Sequence, residues 1–353
     1  MAQNSVTRLL ITIAGLVVII AGIRSASGLL GPILLALFIV LFCNPIVLWL
    51  QRKGLPGWAA NIIVILGVIL AGLTLILFLG VSINRLSVAL PRYQSLITEQ
   101  QDAIVAEMDR FGIEVSDILE LEIFQPGRII QLLLGFLKGL LNTLSSIGLT
   151  LFIFVYMLAG SPSFSQKLQR GLIRHQGMLA RLNSFGRSIS VYLFIKGCLG
   201  LFTAIGQVLL LWAVGVDFAL LWGVLSFLLN FIPNIGYIIS LIPPVLLALL
   251  EFGLVKAVLV LVGYTLINNF FDMVIAPRYL GQGLDLSSLV TFLAVIIWSW
   301  ILGPVGAFLA LPLTVMIKKL VLESFEDTRL LAVLAGTETP LNPNHNGPQS
   351  PLI

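Results

Sequence analysis

The chain has 353 residues, of which 58% are hydrophobic and 10% are charged, and its mean hydropathy is +1.06. A soluble domain carries about 25% charged residues, so this composition excludes a soluble protein and predicts a polytopic membrane protein. The net charge of +4 is small, and most of the basic residues lie in connecting segments. This distribution argues against nucleic-acid binding and gives Lys and Arg a role in setting membrane topology.

Four apolar stretches in the N-terminal half are long enough to cross a bilayer, which takes about 20 residues. The predicted spans are 8–24, 28–50, 58–84 and 138–160. The first span also resembles a secretory signal peptide, since Arg8 precedes its apolar run and small residues follow it. Because apolar segments continue along most of the chain, a retained span is the preferred interpretation and cleavage is the alternative.

The connections between these spans differ in charge. The loop 51–57 and the segment 161–187 hold basic residues without an acid, whereas 85–128 holds eight acidic residues against four arginines. Cytoplasmic loops are enriched in Lys and Arg. We therefore expect the N-terminus, 51–57 and 161–187 in the cytoplasm and 85–128 outside. Arg24 alone disagrees with this topology, because the topology places it outside. A single Arg at a helix end can, however, extend its side chain to the membrane interface.

The acidic segment carries an apolar pattern of its own. Apolar residues recur at steps of three, four and seven, which is typical of a helix with a stripe of coiled-coil type. The stripe consists of Leu86, Leu90, Tyr93, Ile97, Ile104, Met108 and Phe111. We expect a helix whose stripe packs either against its own subunit or the membrane surface, or against another subunit.

The C-terminal half is organised as two similar units. Each begins with a full span, at 189–215 and at 253–277, and continues with two shorter apolar pieces that meet at Pro and Gly. The shorter pieces are 217–232 with 234–250, and 285–302 with 304–322. A helix of 16 or 17 residues is about 24–26 Å long, which suits a segment that enters the membrane and turns back. Full crossings are the alternative.

The two joints resemble each other. In FIPNIGYIISLIP, Gly236 lies seven residues before Pro243, and in ILGPVGAFLALP, Gly306 lies six residues before Pro312. The full spans that open the two units run in opposite predicted directions, so the units form an inverted repeat. Inverted repeats with broken helices are typical of transporters. The alternative is two ordinary helix pairs with loops at the membrane surface.

The broken joints are the predicted substrate site. Proline cannot continue the hydrogen-bonding ladder of a helix, and glycine permits tight turns and close approach. The new helix ends leave free N–H and C=O groups, and the asparagine amides add donors and acceptors. Capping of the broken ends is the alternative role for the amides. The candidates are Asn230, Pro233, Asn234, Gly236, Gly303, Pro304 and Gly306.

Polar residues inside the predicted spans are few and are functional candidates for that reason. The span 253–277 carries Asn268, Asn269 and Asp272, and 189–215 carries Lys196 and Gln207. Lys196 and Asp272 are predicted at similar depth, so they could pair and serve ion coupling. A static packing pair, or two groups reaching separately for the interface, is the alternative.

Sequence motifs for catalysis and metal binding are absent. The chain has no HExxH, GxxxxGK[ST] or GxSxG pattern, and neither of its two histidines lies in a predicted span. Cys43 and Cys198 lie far apart in apolar runs, which suggests small core residues and no disulfide or metal site. We therefore expect no enzyme activity, no cofactor and no metal. The tail 336–353 is rich in Pro, Asn and Gly and is expected to be disordered.

The C-terminal half contains several longer motifs, which are NFIPNIG at 230–236, IPP at 242–244, APRYLGQGLDLSSLV at 276–290 and WSWILGPVGAFLALPLTVMIK at 298–318. These motifs resemble the AI-2E family of bacterial membrane transporters, and in particular its autoinducer-2 exporter branch. The resemblance covers about 185–322 well, whereas the N-terminal stretch LFCNPIVLWLQRKGLP matches more loosely. The resemblance implies a protein of the bacterial cytoplasmic membrane with about eight membrane segments, which forms a homo-oligomer and exports a small solute. Some members of the family are associated with autoinducer-2 and others with sodium–proton antiport.

These observations together predict an all-α polytopic membrane protein with cytoplasmic termini. The expected function is secondary transport of a small polar solute by alternating access, with possible proton or sodium coupling. A cation/proton antiporter and an uncoupled facilitator are the alternatives, and a non-transporting scaffold is a further one. The predicted units are scaffold spans at 1–84, a helical insert at 85–137, a fourth span with a basic segment at 138–187, a transport core at 188–325 and a tail at 326–353.

Overall fold

A computed structural model gives the fold and describes residues 2–110, 135, 137–139, 147–171, 176–233, 235–280 and 286–319. Within these residues the chain is helical, and no strand occurs. The N-terminal helices are α1 (Ala2–Ser25), α2 (Ser27–Arg52), α3 (Gly57–Arg110) and α4 (Ile147–Gly171). The later helices are α5 (Gln176–Val214), α6 (Ala219–Leu229), α7 (Ile235–Phe252), α8 (Leu254–Asn269), a π-helical segment (Phe270–Ile275), α9 (Ala276–Leu280), α10 (Ser288–Leu302) and α11 (Pro304–Ile317).

The helices have the lengths and composition of membrane segments. In the described part of the chain, five stretches are long and apolar enough to cross a bilayer, and four more are apolar but shorter. The long stretches are Ser27–Arg52, Gly57–Ala89, Leu182–Val214, Ile235–Phe252 and Leu254–Tyr279. The short ones are Gly148–Ser161, Ala219–Leu229, Ser288–Leu302 and Pro304–Ile317. The prediction of an all-α, polytopic membrane protein is confirmed.

Helix α3 shows how these helices face their surroundings. Leu66, Leu70 and Leu77 are between 61% and 69% exposed within the chain. A contiguous apolar face of this kind is typical of a helix in contact with lipid or with another membrane protein, because water would disfavour it.

Helix α3 also contains the predicted apolar stripe. It continues without a break from the third span to Arg110, so the helical prediction for the acidic segment is confirmed up to that residue. Leu86 and Tyr93 are 1% and 2% exposed and belong to the core formed with α5–α8 of the same chain. At these two positions the stripe therefore packs against its own subunit. Phe111 lies outside the described residues.

Three large apolar clusters hold the described helices together, and a fourth, small one lies between α10 and α11. The largest joins α3 to α5–α8, and the fully buried Trp222 and Tyr264 lie in it. A second cluster joins α2 to α3 and α4, and a third joins α2 to α5, α10 and α11. Helix α2 thus connects the N-terminal helices with the C-terminal half. Cys43 packs in the second cluster as a free, buried thiol, in agreement with its predicted role as a small core residue.

Both pairs of short helices form hairpins. Helix α6 packs on α7, and α10 packs on α11, where Trp298 Nε1 donates to Thr314 Oγ1 at 3.1 Å. Asp217 precedes α6 and Glu251 ends α7, and both carboxylates contact the Tyr93 hydroxyl. The start of α6 and the end of α7 therefore lie close together in space, at the open end of the hairpin.

Candidate functional site

The first joint is a tight turn between α6 and α7. Asn230 ends α6, with its backbone N–H donating to the Ser226 carbonyl at 2.9 Å. The Gly236 N–H donates to the Ile232 carbonyl at 3.1 Å. A β-carbon on Gly236 would overlap the Leu229 carbonyl, so this glycine lets the start of α7 lie directly against the end of α6. Asn234 lies outside the described residues.

The second joint has the same construction. Gly303 has φ +66° and ψ −149°, a conformation that favours glycine, and Pro304 follows as the first residue of α11. A β-carbon on Gly306 would overlap the Trp298 carbonyl, just as one on Gly236 would overlap the Leu229 carbonyl. In each hairpin, a glycine in the first turn of the second helix thus abuts the backbone of the first helix.

The two joints meet. The Phe231 and Phe308 rings lie 4.6 Å apart between centroids, and Ile232 and Ile235 pack on the small cluster that includes Ala294 and Ala307. The sequence predicted similar joints about 70 residues apart, and the fold brings them into contact.

A cavity of about 320 Å³ lies beside this contact. Residues of both joints line it, Pro304 among them, and α2 contributes the wall opposite, with Leu35, Phe38 and Phe42. The lining is apolar. Gly236 and Gly306 are buried within their hairpins and are not part of this lining, and Pro233 is half-buried outside it. Among the predicted substrate residues that the structure describes, Pro304 is therefore the one that lines the cavity.

Asn230 faces helix α5 instead. Its side-chain amide packs against Gly200, where a β-carbon would overlap the amide nitrogen. This buried nitrogen, Nδ2, has no hydrogen-bond partner among the described residues. A buried donor without an acceptor is costly and is rare in folded proteins, so it marks a group available to a ligand or to water.

The predicted ion pair is present in the structure. Lys196 Nζ on α5 lies 2.9 Å from Asp272 Oδ1, and Asn268 Nδ2 donates to the other carboxylate oxygen, Oδ2, at 3.3 Å. The side chain of Lys196 is 16% exposed and that of Asp272 37% exposed. Asn269 is half-buried on the neighbouring position. The contact agrees with the depth argument from the sequence, and the coupling role of the pair stays a prediction.

Asp272 lies in a π-helical segment that the sequence analysis missed. The Ala276 N–H donates to the Phe271 carbonyl, five residues back, so the helix is widened by one residue at this place. Pro277 follows directly and has no N–H to donate to the carbonyl four residues before it. Single π-helical turns are often found at functional sites, and here the widened turn carries the acid that pairs with Lys196.

Gln207, the other polar residue predicted in the membrane, ties two helices together. It is fully buried on α5, and its Oε1 accepts a hydrogen bond from Ser226 Oγ of α6 at 2.5 Å. This bond links the start of the transport core to the first hairpin. It does not involve the Lys196–Asp272 pair.

A second charged cluster lies where α3 leaves its apolar stretch, and the sequence analysis missed it. The Tyr93 hydroxyl lies 2.9 Å from Asp217 Oδ2 and 3.0 Å from Glu251 Oε1, and Arg92 approaches both carboxylates at 3.6 and 3.9 Å. Burial, reinforced by the two carboxylates, raises the pKa of Tyr93 above its ordinary value of 10. The sequence does contain a signal for this cluster, because one acid lies at each end of the first predicted hairpin. A hairpin brings both of its ends to the same membrane face, and the two acids with them.

The architecture defines a class of protein. Helices that break at Pro and Gly, meet as two hairpins and lie near a half-buried ion pair are typical of polytopic helical transporters.

Comparison with known proteins gives the family. The sequence model of the AI-2E family transporters matches residues 9–326. The chain is 37% identical to the AI-2 transport protein TqsA of Escherichia coli K12 over 327 residues, which cover 93% of this chain and 95% of TqsA. It is 32% identical to the putative transport protein YhhT of the same organism, over 94% and 95% of the two chains. A putative transport protein of Haemophilus influenzae is also 32% identical, over 95% and 98%. The chain belongs to the AI-2E family, and it is a membrane transport protein and not an enzyme.

Proposed function

We propose that the chain exports a small polar solute of the autoinducer-2 type across the bacterial cytoplasmic membrane as a secondary transporter. The solute class comes from the similarity to TqsA, whose name assigns it AI-2 transport. The observation that carries the mechanism is the meeting of the two joints beside a cavity of about 320 Å³. Cavities that bind small molecules begin at about this volume.

The cavity supports a mechanism of alternating access because its walls come from two parts of the chain. Helix α2 supplies one wall, and the two joints supply the other. In our proposal, the core 188–325 moves against the scaffold 1–84 and exposes this cavity to each side in turn. Pro304 and Val305 in the first turn of α11 line the cavity, and in our proposal the free backbone N–H of Val305 donates to a solute oxygen. The Asn230 amide faces α5 and lies outside this lining, and in our proposal it becomes a donor to the solute when the core moves.

The Lys196–Asp272 pair is the proposed coupling group. Lys196 and Gly200 lie four residues apart on α5, on one face and about 6 Å apart along the axis. Lys196 contacts Asp272, and Gly200 contacts Asn230 of the first joint. A proton or sodium ion that loosens the ion pair would therefore change the packing of the same helix face that holds the joint.

Cation/proton antiport is the second candidate function, and the same ion pair favours it. In that mechanism, Asp272 would bind the cation or the proton directly, and no organic solute would be needed. An uncoupled facilitator would need no such pair.

Flux measurements in proteoliposomes separate these functions. We expect export of autoinducer-2 to accelerate under a proton or a sodium gradient in the wild type, and to lose this acceleration in Asp272→Asn. Glu99→Gln is the matched control, because it removes an exposed carboxylate of α3 that lies beyond the apolar stretch. Equal rates with and without gradients would assign the chain to the facilitators. Gradient dependence that survives in Asp272→Asn would contradict the coupling role, and cation exchange without solute flux would establish antiport.

We further propose an orientation with both termini in the cytoplasm and with re-entrant hairpins. The contact of Tyr93 with Asp217 and Glu251 supports it, since it places the acidic segment and both ends of the first hairpin at one face. The exposed apolar face of α3 supports a homo-oligomer in the bilayer. Labelling of single cysteines across 228–244 from the outside checks the hairpin, because labelling of both flanks requires that the chain turns back.

A further inference from the structure

A second and larger cavity lies at the other side of α2. It has a volume of about 1040 Å³ and is enclosed by the C-terminal half of α2, the end of the apolar part of α4 and the first half of α5. The smaller cavity at the joints is lined by Phe38 and Phe42 of α2, whereas this one is lined by Leu41 and Asn44. The two cavities therefore have separate walls.

The larger cavity has an apolar body. Val40, Ile46, Leu48, Val191 and Phe194 contribute to its walls, and Trp49 lies beside them. Such a surface is suited to a hydrocarbon chain. A tryptophan at the boundary of an apolar wall is typical of the interface between hydrocarbon and lipid headgroups.

The rest of the lining is polar and basic. Arg52 ends α2 and Arg187 lies in the first half of α5, and the packing of α2 on α5 places both at this cavity. Neither guanidinium contacts a carboxylate within the described part of the chain. The amides of Asn44 and Asn183 line the same cavity and add hydrogen-bond donors.

Ser190 gives an independent indication of a ligand. Its side chain lines the cavity and is only 2% exposed, yet its hydroxyl has no hydrogen-bond partner among the described residues. A hydroxyl on a membrane helix commonly donates to the carbonyl four residues earlier. Thr203 of the same helix does so, with Oγ1 at 2.9 Å from the Leu199 carbonyl. The hydroxyl of Ser190 is thus a buried donor without a partner at the wall of the cavity.

We propose that this cavity binds a phosphate group between Arg52 and Arg187, with the Ser190 hydroxyl as a further donor. The planar guanidinium offers two parallel N–H groups to phosphate oxygens, and the two arginines together can bind several oxygens of one phosphate. The apolar walls fit the acyl chain of an anionic phospholipid, and a free phosphate shares the same headgroup chemistry. Both arginines belong to segments expected at the cytoplasmic face, where anionic headgroups attract basic residues. The site does not depend on the proposed transport function.

Thermal unfolding of the purified full-length protein in detergent tests the site. Three additions are compared, which are phosphatidylglycerol, phosphatidylcholine and inorganic phosphate. We expect phosphatidylglycerol to raise the melting temperature by several degrees and phosphatidylcholine to raise it less. In the double variant Arg52→Gln/Arg187→Gln, phosphatidylglycerol should stabilise no more than phosphatidylcholine does. The apparent affinity of this variant for phosphatidylglycerol should be weaker than that of the wild type by about tenfold or more.

Two matched controls accompany this comparison. The double variant Arg85→Gln/Lys256→Gln removes the same charge at exposed positions away from the cavity and should respond like the wild type. Ser190→Ala should weaken the response to the lipid, whereas Ser188→Ala, at an exposed neighbouring position, should not.

The outcomes distinguish the sources of the phosphate. If inorganic phosphate alone reproduces the arginine-dependent stabilisation, the phosphate site stands and its ligand is a soluble phosphate compound. If no addition stabilises, or if Arg52→Gln/Arg187→Gln responds like the wild type, the proposal is wrong. If both lipids stabilise equally, the assignment of an anionic phospholipid as the ligand is wrong.

Discussion

The glycines of the two joints allow a quantitative test of how the hairpins are built. The methyl group of Gly236→Ala would overlap the backbone carbonyl of Leu229, and that of Gly306→Ala would overlap the backbone carbonyl of Trp298. Both obstacles are backbone atoms of the preceding helix and cannot rotate away. The two helices of the hairpin must therefore separate, and the contact between the joints must change with them.

The size of the effect follows from two opposing terms. Overpacking of a tight contact costs about 1–3 kcal/mol. Replacement of Gly by Ala inside a helix gains up to about 1 kcal/mol, because Ala is the better helix former. Gly67→Ala in α3 isolates the second term, since a β-carbon there meets nothing within 4 Å. We expect Gly67→Ala to melt at or above the wild-type temperature, and each joint variant to melt lower by several degrees.

Thermal unfolding in detergent and solute efflux from proteoliposomes are the two assays. The joint variants should lose flux to a larger extent than their fraction of folded protein explains, because the cavity lies between the joints and α2. Gly67→Ala should keep wild-type flux. Gly236→Ala and Gly306→Ala with wild-type melting temperatures would refute the packing argument. Wild-type flux in folded joint variants would refute the location of the solute site.

Two further predictions concern the charged cluster at Tyr93 and the side-chain amide of Asn230. Tyr93→Phe removes the hydroxyl between Asp217 and Glu251, and since hydrogen bonds to charged groups contribute about 1.5–3 kcal/mol, its melting temperature should fall at neutral pH. The pKa of Tyr93 is raised in the folded state, so the stability from the neutral phenol is present below pH 10, the usual value, and is lost as the pH rises above it. Between pH 8 and pH 11, the melting temperature of the wild type should therefore fall more steeply with pH than that of Tyr93→Phe. An equal decrease in both proteins would contradict this. Asn230→Leu removes a buried amide whose nitrogen has no partner, so its melting temperature should be unchanged or higher, whereas solute efflux should drop; unchanged efflux would leave the amide without a role in transport.

Much of the helical layout could be predicted from the sequence, because membrane helices follow simple rules. Apolar length and Pro-Gly breaks located α2, the first part of α3, the end of α5 and both hairpins to within about five residues, whereas α5 begins 13 residues before its predicted span. The periodic stripe predicted the helix beyond residue 84, and the third span and this helix are one continuous element. The Lys196–Asp272 contact was predictable for a similar reason, since charged residues inside a membrane seek partners at equal depth.

The contents of the site were less predictable, because they depend on packing between distant helices. The composition of the joints suggested polar groups around a solute, but the cavity beside them has an apolar lining. The reason is that Gly236 and Gly306 lie in the close contact between the two helices of each hairpin, where they do not reach the cavity. The side chain of Asn230 packs against Gly200. The π-helical turn at Asp272 also has no simple sequence rule apart from the proline that follows it.

Helix α5 explains how these separate features can act together. One face of this helix carries Lys196 and, one turn later, Gly200, so the ion pair and the first joint rest on the same short stretch. The first joint in turn touches the second through Phe231 and Phe308. Interiors are close-packed, so a shift of one turn of α5 cannot be absorbed locally and must move its neighbours. A change at Asp272 therefore has a continuous path of contacts to the cavity, through one helix turn and one ring contact.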